Sequence, residues 1–159
     1  MIDPIQLTGS AFDSLEAMMQ ANAEAAVRLA ANDHGMVLDY SPESVGRLET
    51  VLAARIPVPE ADVEKATMLW GGYFGEVFRR HYPADWIMGV YPTMQYAGRQ
   101  DAGNEVAMPA LDVSGSHIYP LLKIFRRLTM GPAEDLVAFY GKVCAALDTR
   151  QGRESEQSR

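Results

Sequence analysis

The chain has a single cysteine, Cys144, among its 159 residues, which excludes an internal disulfide and any zinc site built from cysteines. That thiol falls on an apolar helical face, where packing rather than reactivity is its expected role. The three histidines, His34, His81 and His117, are far apart, and none has a second ligand at a metal-binding interval such as HExxH. No metal and no cofactor is therefore expected. Nucleophile elbows, Walker loops and the dinucleotide GxGxxG pattern are all missing. Ser116 and His117 are adjacent, but neighbours on a strand point to opposite faces, so they do not form a nucleophile and base, and no catalytic residue stands out. No apolar run approaches the ~20 residues that a membrane helix needs. No Lys or Arg precedes Arg28, the reverse of a secretory leader's basic start, so a cytoplasmic location is expected.

What the chain does have is acid, unevenly placed. Residues 1 to 64 hold 11 acidic and 3 basic side chains, whereas residues 65 to 159 hold 10 and 11. The net charge is -7, and phosphate neutralisation requires a basic excess, so nucleic acid is not an expected partner. A basic protein partner for the front of the chain is, although such acids also serve simply as solvated helix faces. The 48% hydrophobic and 22% charged composition is that of an ordinary globule. A chain of this length buries roughly 70% of the surface its unfolded form exposes.

Helical periodicity dominates the first half. Ser10 is read as the cap of an N-terminal helix that reaches Asn32, with Asp13 and Glu16 in its first turns. Its apolar stripe of Phe12, Leu15, Met19, Ala26 and Leu29 or Ala30 is thin, placing it outside the fold or close against another element or a second subunit, which leaves a homodimer open. Gly35 ends the segment 1–35, and residues 36–40 are an extended link or edge strand. Ser41-Pro42-Glu43-Ser44 then starts a helix that buries Val45, Leu48 and Leu52, until the prolines at 57 and 59 break it. From Glu60 to His81 runs the longest apolar helix, with Val63, Ala66, Leu69, Trp70, Tyr73, Phe74, Val77 and Phe78 covering more than half its circumference. Gly71, Gly72 and Gly75 each weaken it by up to about 1 kcal/mol, a cost tolerated where another backbone comes close.

After Tyr82-Pro83-Ala84-Asp85 the period changes. Residues 86–91, 93–97, 105–108, 110–113 and 116–119 read as short strands of a small antiparallel sheet, with Pro92 and Pro109 at edges, bulges or breaks. Residues 98–104 form a polar loop between two of them. A Ser114-Gly115 turn leads to the last strand, and Pro120 begins a helix with Leu121, Ile124, Phe125 and Leu128 on one side and Lys123, Arg126 and Arg127 largely on the other. Gly131-Pro132 stops it, and a final helix from Pro132 buries Leu136, Phe139, Tyr140, Val143 and Leu147. From Thr149 the chain has no apolar residue and reads as a disordered tail. The expected architecture is one α+β domain, residues 1–148, of several helices packed on a small antiparallel sheet, followed by the tail, 149–159.

Glu76 is the acid that matters, because Tyr73, Phe74, Val77 and Phe78 surround it. An inward carboxylate needs a cation, and Lys123 or Arg127 is the expected partner; alternatively Glu76, Tyr73 and an arginine line a small polar pocket. The words LDYSPESVGRLETVL, GGYFGEVFRRHYPADW and HIYPLLKIFRRLTMGPAEDLVAFY resemble an uncharacterised family of small bacterial α+β domains, over roughly residues 38 to 141. Glu76, Trp86, Lys123, Arg127 and Leu128 carry the resemblance, while the His117-Ile118-Tyr119 lead-in departs from it. The resemblance carries no established activity with it, and domains of this size and look also occur among bacterial toxin-immunity proteins. The function expected is a non-enzymatic protein-binding module of immunity or regulatory type. The alternative is a small-ligand-binding protein or enzyme with its pocket at Glu76, Tyr73 and Arg127.

Overall fold

The structure is a computed structural model and describes residues 14–92 and 105–157. Among these residues it contains helices α1 (Leu15–His34), α2 (Ser44–Arg55) and α3 (Glu60–His81), strands β1 (Asp85–Pro92), β2 (Glu105–Val113) and β3 (Ser116–Ile118), and helices α4 (Pro120–Met130) and α5 (Leu136–Gln157). The five helices pack against a three-stranded antiparallel sheet of order β1-β2-β3, the α+β arrangement expected. No described helix is long and apolar enough to cross a membrane.

α3 is the axis. Every residue from Trp70 to Phe78 is buried, and the helix packs on α1, on α4 and on the sheet. Its glycines make that possible. A Cβ on Gly71 would lie 2.7 Å from Leu121 Cγ on α4, one on Gly72 would lie 3.1 Å from the Met19 carbonyl on α1, and one on Gly75 would lie 2.1 Å from the Trp86 ring of β1. The third is a helix-to-sheet contact, and the other two bring helices together. The thin stripe of α1 has the same cause, since Ala23, Ala26 and Ala30 are buried with Met18 and Met19 where a larger side chain would hold α3 away.

The helix ends follow local chemistry. The described part of α1 begins after Ser14, whose hydroxyl accepts the Ala17 N–H at 3.1 Å; Ser10, Phe12 and Asp13 lie outside the described residues. Gly35 takes φ 61° and closes α1 through N–H bonds from Gly35 and Met36 to the Ala31 and Ala30 carbonyls. Residues 36–39 are an irregular link, not a strand. The Ser41 hydroxyl accepts the Ser44 N–H at 3.1 Å, so the capping group is the expected one although regular helix begins only at Ser44.

β2 is unbroken from Glu105 to Val113 and pairs with β1 from Trp86↔Leu111 through Met88↔Pro109 to Pro92↔Glu105. Of the edge, bulge or break expected at Pro109 the structure shows the edge: β3 covers only Leu111 to Val113, so among the described residues the second side of β2 at Pro109 is unpaired and needs no donor. Trp86, Leu111, Val113 and Ile118 join the helical core. Ser114 and Gly115, with φ of 53° and 88°, make the two-residue hairpin turn into β3, and the Asp112 carboxylate accepts the Gly115 N–H at 2.8 Å. The residues expected as a strand at 93–97 and as a polar loop at 98–104 lie outside the described residues.

Three expectations about the C-terminal third are corrected. Arg127 does not face away from the core but is 4% exposed, on the same side as Leu128. α5 starts at Leu136, not Pro132, because the Asp135 carboxylate caps it by accepting the Ala138 N–H at 3.0 Å. The tail expected from Thr149 is instead helical to Gln157: Arg150 donates to the Ser116 hydroxyl and the Ser114 carbonyl, so a polar contact with the hairpin does what apolar burial does elsewhere.

The glycine contacts make a direct test. Gly75→Ala should destabilise by about 1–3 kcal/mol or more, since a rigid indole cannot give way. Gly141→Ala, in α5 with nothing within 4 Å of the added methyl, should stabilise by about 0.5–1 kcal/mol. Urea denaturation of the two variants checks both signs.

Candidate functional site

Glu76 has no solvent exposure, and its partners are not those the sequence points to. Arg79, one turn along the same helix, lies 3.0 Å from both carboxylate oxygens through Nε, and Trp86 donates its indole N–H to Oε1 at 3.1 Å. Arg80 approaches Oε2 at 3.9 Å. Arg79 also reaches Glu16 of α1 at 2.9 Å, and its guanidinium pKa is raised, first by the hydrogen bond to Glu76. Trp86 thus lies beside Glu76, whereas Lys123 pairs with Glu134 at 2.6 Å and Arg127 with Glu49 at 2.6 Å.

Tyr73 belongs to the next link of the same polar chain. Its hydroxyl shares a 2.7 Å hydrogen bond with the Ser44 hydroxyl and accepts the Tyr40 N–H at 2.9 Å. Tyr40 has φ 64°, a left-handed conformation that costs a non-glycine residue roughly 1–2 kcal/mol. It is held on every side: its ring lies 4.9 Å from that of Tyr73 and 3.6 Å beneath the Arg80 guanidinium, and its carbonyl meets His81 Nε2 at 2.9 Å. Burial raises the pKa of Tyr73, with the Ser44 hydrogen bond opposing, and that of Tyr40, with Arg80 opposing. A continuous set of contacts therefore runs from Ser44 through Tyr73, Tyr40, Arg80 and Glu76 to Trp86.

Arg127 lies in a separate cluster. Glu49 of α2 takes its Nε with one oxygen and the Leu136 N–H with the other, at 3.1 Å, so one carboxylate ties α4 to the start of α5. Lys123 also sits over the Phe139 ring at 5.4 Å. Glu49 is the residue that sequence reasoning missed. It is 78 residues from Arg127, and its only local signal is a boundary position beside the Leu48 and Leu52 stripe.

Chemically, the carboxylate of Glu76 and the hydroxyl of Tyr73 already meet donors and acceptors from their own fold, and the Arg127 Nε is spent on Glu49. Among the described residues, Glu76 and Tyr73 belong to one set of contacts and Arg127 to another. Among the described residues no group of three or more His, Cys, Asp or Glu is placed to hold a metal ion. Half-buried Cys144 sits between two phenols, Tyr82 and Tyr140, and the Tyr82 hydroxyl donates to Asp148 at 2.9 Å. Burial first, then Cys144, pushes both phenols well above their ordinary value.

Two measurements follow. Glu49→Ala strands a buried guanidinium and should cost about 3–5 kcal/mol in chemical denaturation, whereas Glu49→Gln, which keeps an acceptor, should cost less. The phenols at 73, 82 and 140 have pKa values raised above 10.0, so their contribution to stability is complete below that pH and is lost as pH rises through the raised values. In an alkaline titration, the last phenolate absorbance should therefore appear together with the loss of helical circular dichroism; phenolate formation at 73, 82 and 140 without unfolding would contradict the burial.

Comparison with protein-family models, with curated proteins and with solved structures finds no match to this chain, so the functional reading rests on its own residues.

Proposed function

We propose that the chain is a non-enzymatic, cytoplasmic protein-binding module of immunity or regulatory type, which offers its acidic front helices to a basic partner. The observation that supports this is the division of labour among the charges. Those inside, Glu76, Arg79, Glu49 and Arg127, are mutually paired, so none is poised for proton transfer or for a ligand. Those outside on the front helices include Glu24, Glu43, Glu60 and Asp62, which are exposed and form no ion pair among the described residues. Carboxylates so placed steer a basic surface toward docking without disturbing the core.

An enzyme or ligand site at Glu76, Tyr73 and Arg127 fits less well, since Arg127 is committed to Glu49 and Tyr73 to Ser44. The test is kinetic. With a partner captured at low salt, the association rate should fall steeply as ionic strength rises to physiological, where screening limits charges to ~8 Å. The double change Glu43→Lys, Glu60→Lys should slow association and flatten that dependence. A rate indifferent to both salt and the substitutions would remove the acidic docking face.

A further inference from the structure

A cleft of about 300 Å³ opens between the C-terminal half of α1, the α2–α3 connection, the first half of α3 and Leu128 of α4, and it includes none of Glu76, Arg79, Glu49 and Arg127 in its lining. Leu29, Leu69 and Trp70 are among its apolar lining, with Arg55, Asp62 and Lys65 as its charged groups. Two features make it more than a gap. The first is Arg55, whose guanidinium lies over the Trp70 ring at 5.4 Å. Its contacts with Asp33 at 3.4 Å and His34 at 3.2 Å both use Nη1, so the edge formed by Nε and Nη2 has no partner among the described residues. That edge is the one that takes a carboxylate through two parallel hydrogen bonds. The second is Trp70, whose ring is almost wholly buried and whose indole N–H, unlike that of Trp86, has no acceptor among the described residues. Three donors without a partner among the described residues thus belong to two residues that line one cleft. Asp33 already balances the charge of Arg55, and Asp62 stands three residues from Lys65, so what the cleft lacks is an acceptor for the open donors, and a carboxylate answers them through charge-assisted bonds.

We infer that this cleft binds a small monocarboxylate with an apolar body, on the order of ten non-hydrogen atoms, which its volume accommodates. The carboxylate takes the Nε and Nη2 edge of Arg55 and the indole N–H of Trp70, and the body lies against Leu29 and Leu69. The inference stands apart from the acidic docking face and survives its failure.

Octanoate is the probe, read by the indole N–H resonances of Trp70 and Trp86 in ¹⁵N-labelled protein. Octanoate should shift the Trp70 signal and leave that of Trp86 in place, while octanamide, which lacks the charge, and acetate, which lacks the body, should each bind at least about tenfold more weakly. Arg55→Gln should raise the Kd about tenfold, and Lys65→Gln should change it less than about twofold. Because Arg55 also braces Asp33 and His34, Trp70→Phe provides a second variant: it keeps a ring, loses the donor and should weaken octanoate as measured by titration calorimetry. Equal binding of octanamide would overturn the donor set, equal binding of acetate would overturn the apolar body, and no Trp70 shift at about 10 mM octanoate would overturn the site.

Discussion

Close approach to the backbone of one helix is the condition on which the rest of this fold depends. α3 can be central only because its neighbours come within reach of its main chain at Gly71, Gly72 and Gly75, and each of those neighbours is shaped to exploit the gap: Leu121 of α4, the alanine face of α1 and the flat ring of Trp86. The glycines cost helix propensity, and dense packing of Trp70, Phe74, Val77 and Phe78 offsets that cost. Helix propensity and packing are therefore in opposition within one element, and packing wins.

Among the described residues, the charged groups that enter this interior do so in company. The indole that fills the notch at Gly75 also donates to Glu76, so the same side chain satisfies a steric and an electrostatic need. Glu76 in turn holds Arg79 and draws Arg80 over Tyr40, which stabilises a backbone conformation that tyrosine seldom adopts. Glu49 does the equivalent for Arg127 and the free N–H at the start of α5. Both networks are closed circuits, and closed circuits hold a fold in one register more readily than they perform chemistry.

Much of this was legible in the chain. The bounds of α3, the Gly35 stop, the strand-to-helix step at Pro120 and the α+β class all follow from short-range rules, periodicity, capping and proline's missing donor. The burial of Glu76 was readable from its apolar neighbours, and its partner was not. Arg79 at i+3 looks like a surface pair, and nothing local reveals that the apolar neighbours and the indole of Trp86 dry one side of it. Glu49 and Arg127 meet across 78 positions, a relation that periodicity does not encode. The continuation of α5 past Asp148 was hidden for a similar reason, since Arg150 finds its acceptors on a hairpin formed more than thirty residues earlier.

The proline within β2 has a consequence for how this protein behaves in a crowded solution. Because β3 ends opposite Leu111, no strand among the described residues pairs with the stretch of β2 beyond it, and such a rim is the kind of template on which a foreign strand can be laid down and a fibril can begin. Pro109 removes one donor from the middle of that rim, and any strand arriving there would leave a carbonyl unanswered. The proline that the sequence places at an edge, bulge or break sits at an edge within a continuous strand, and there it discourages the sheet from growing past its third member.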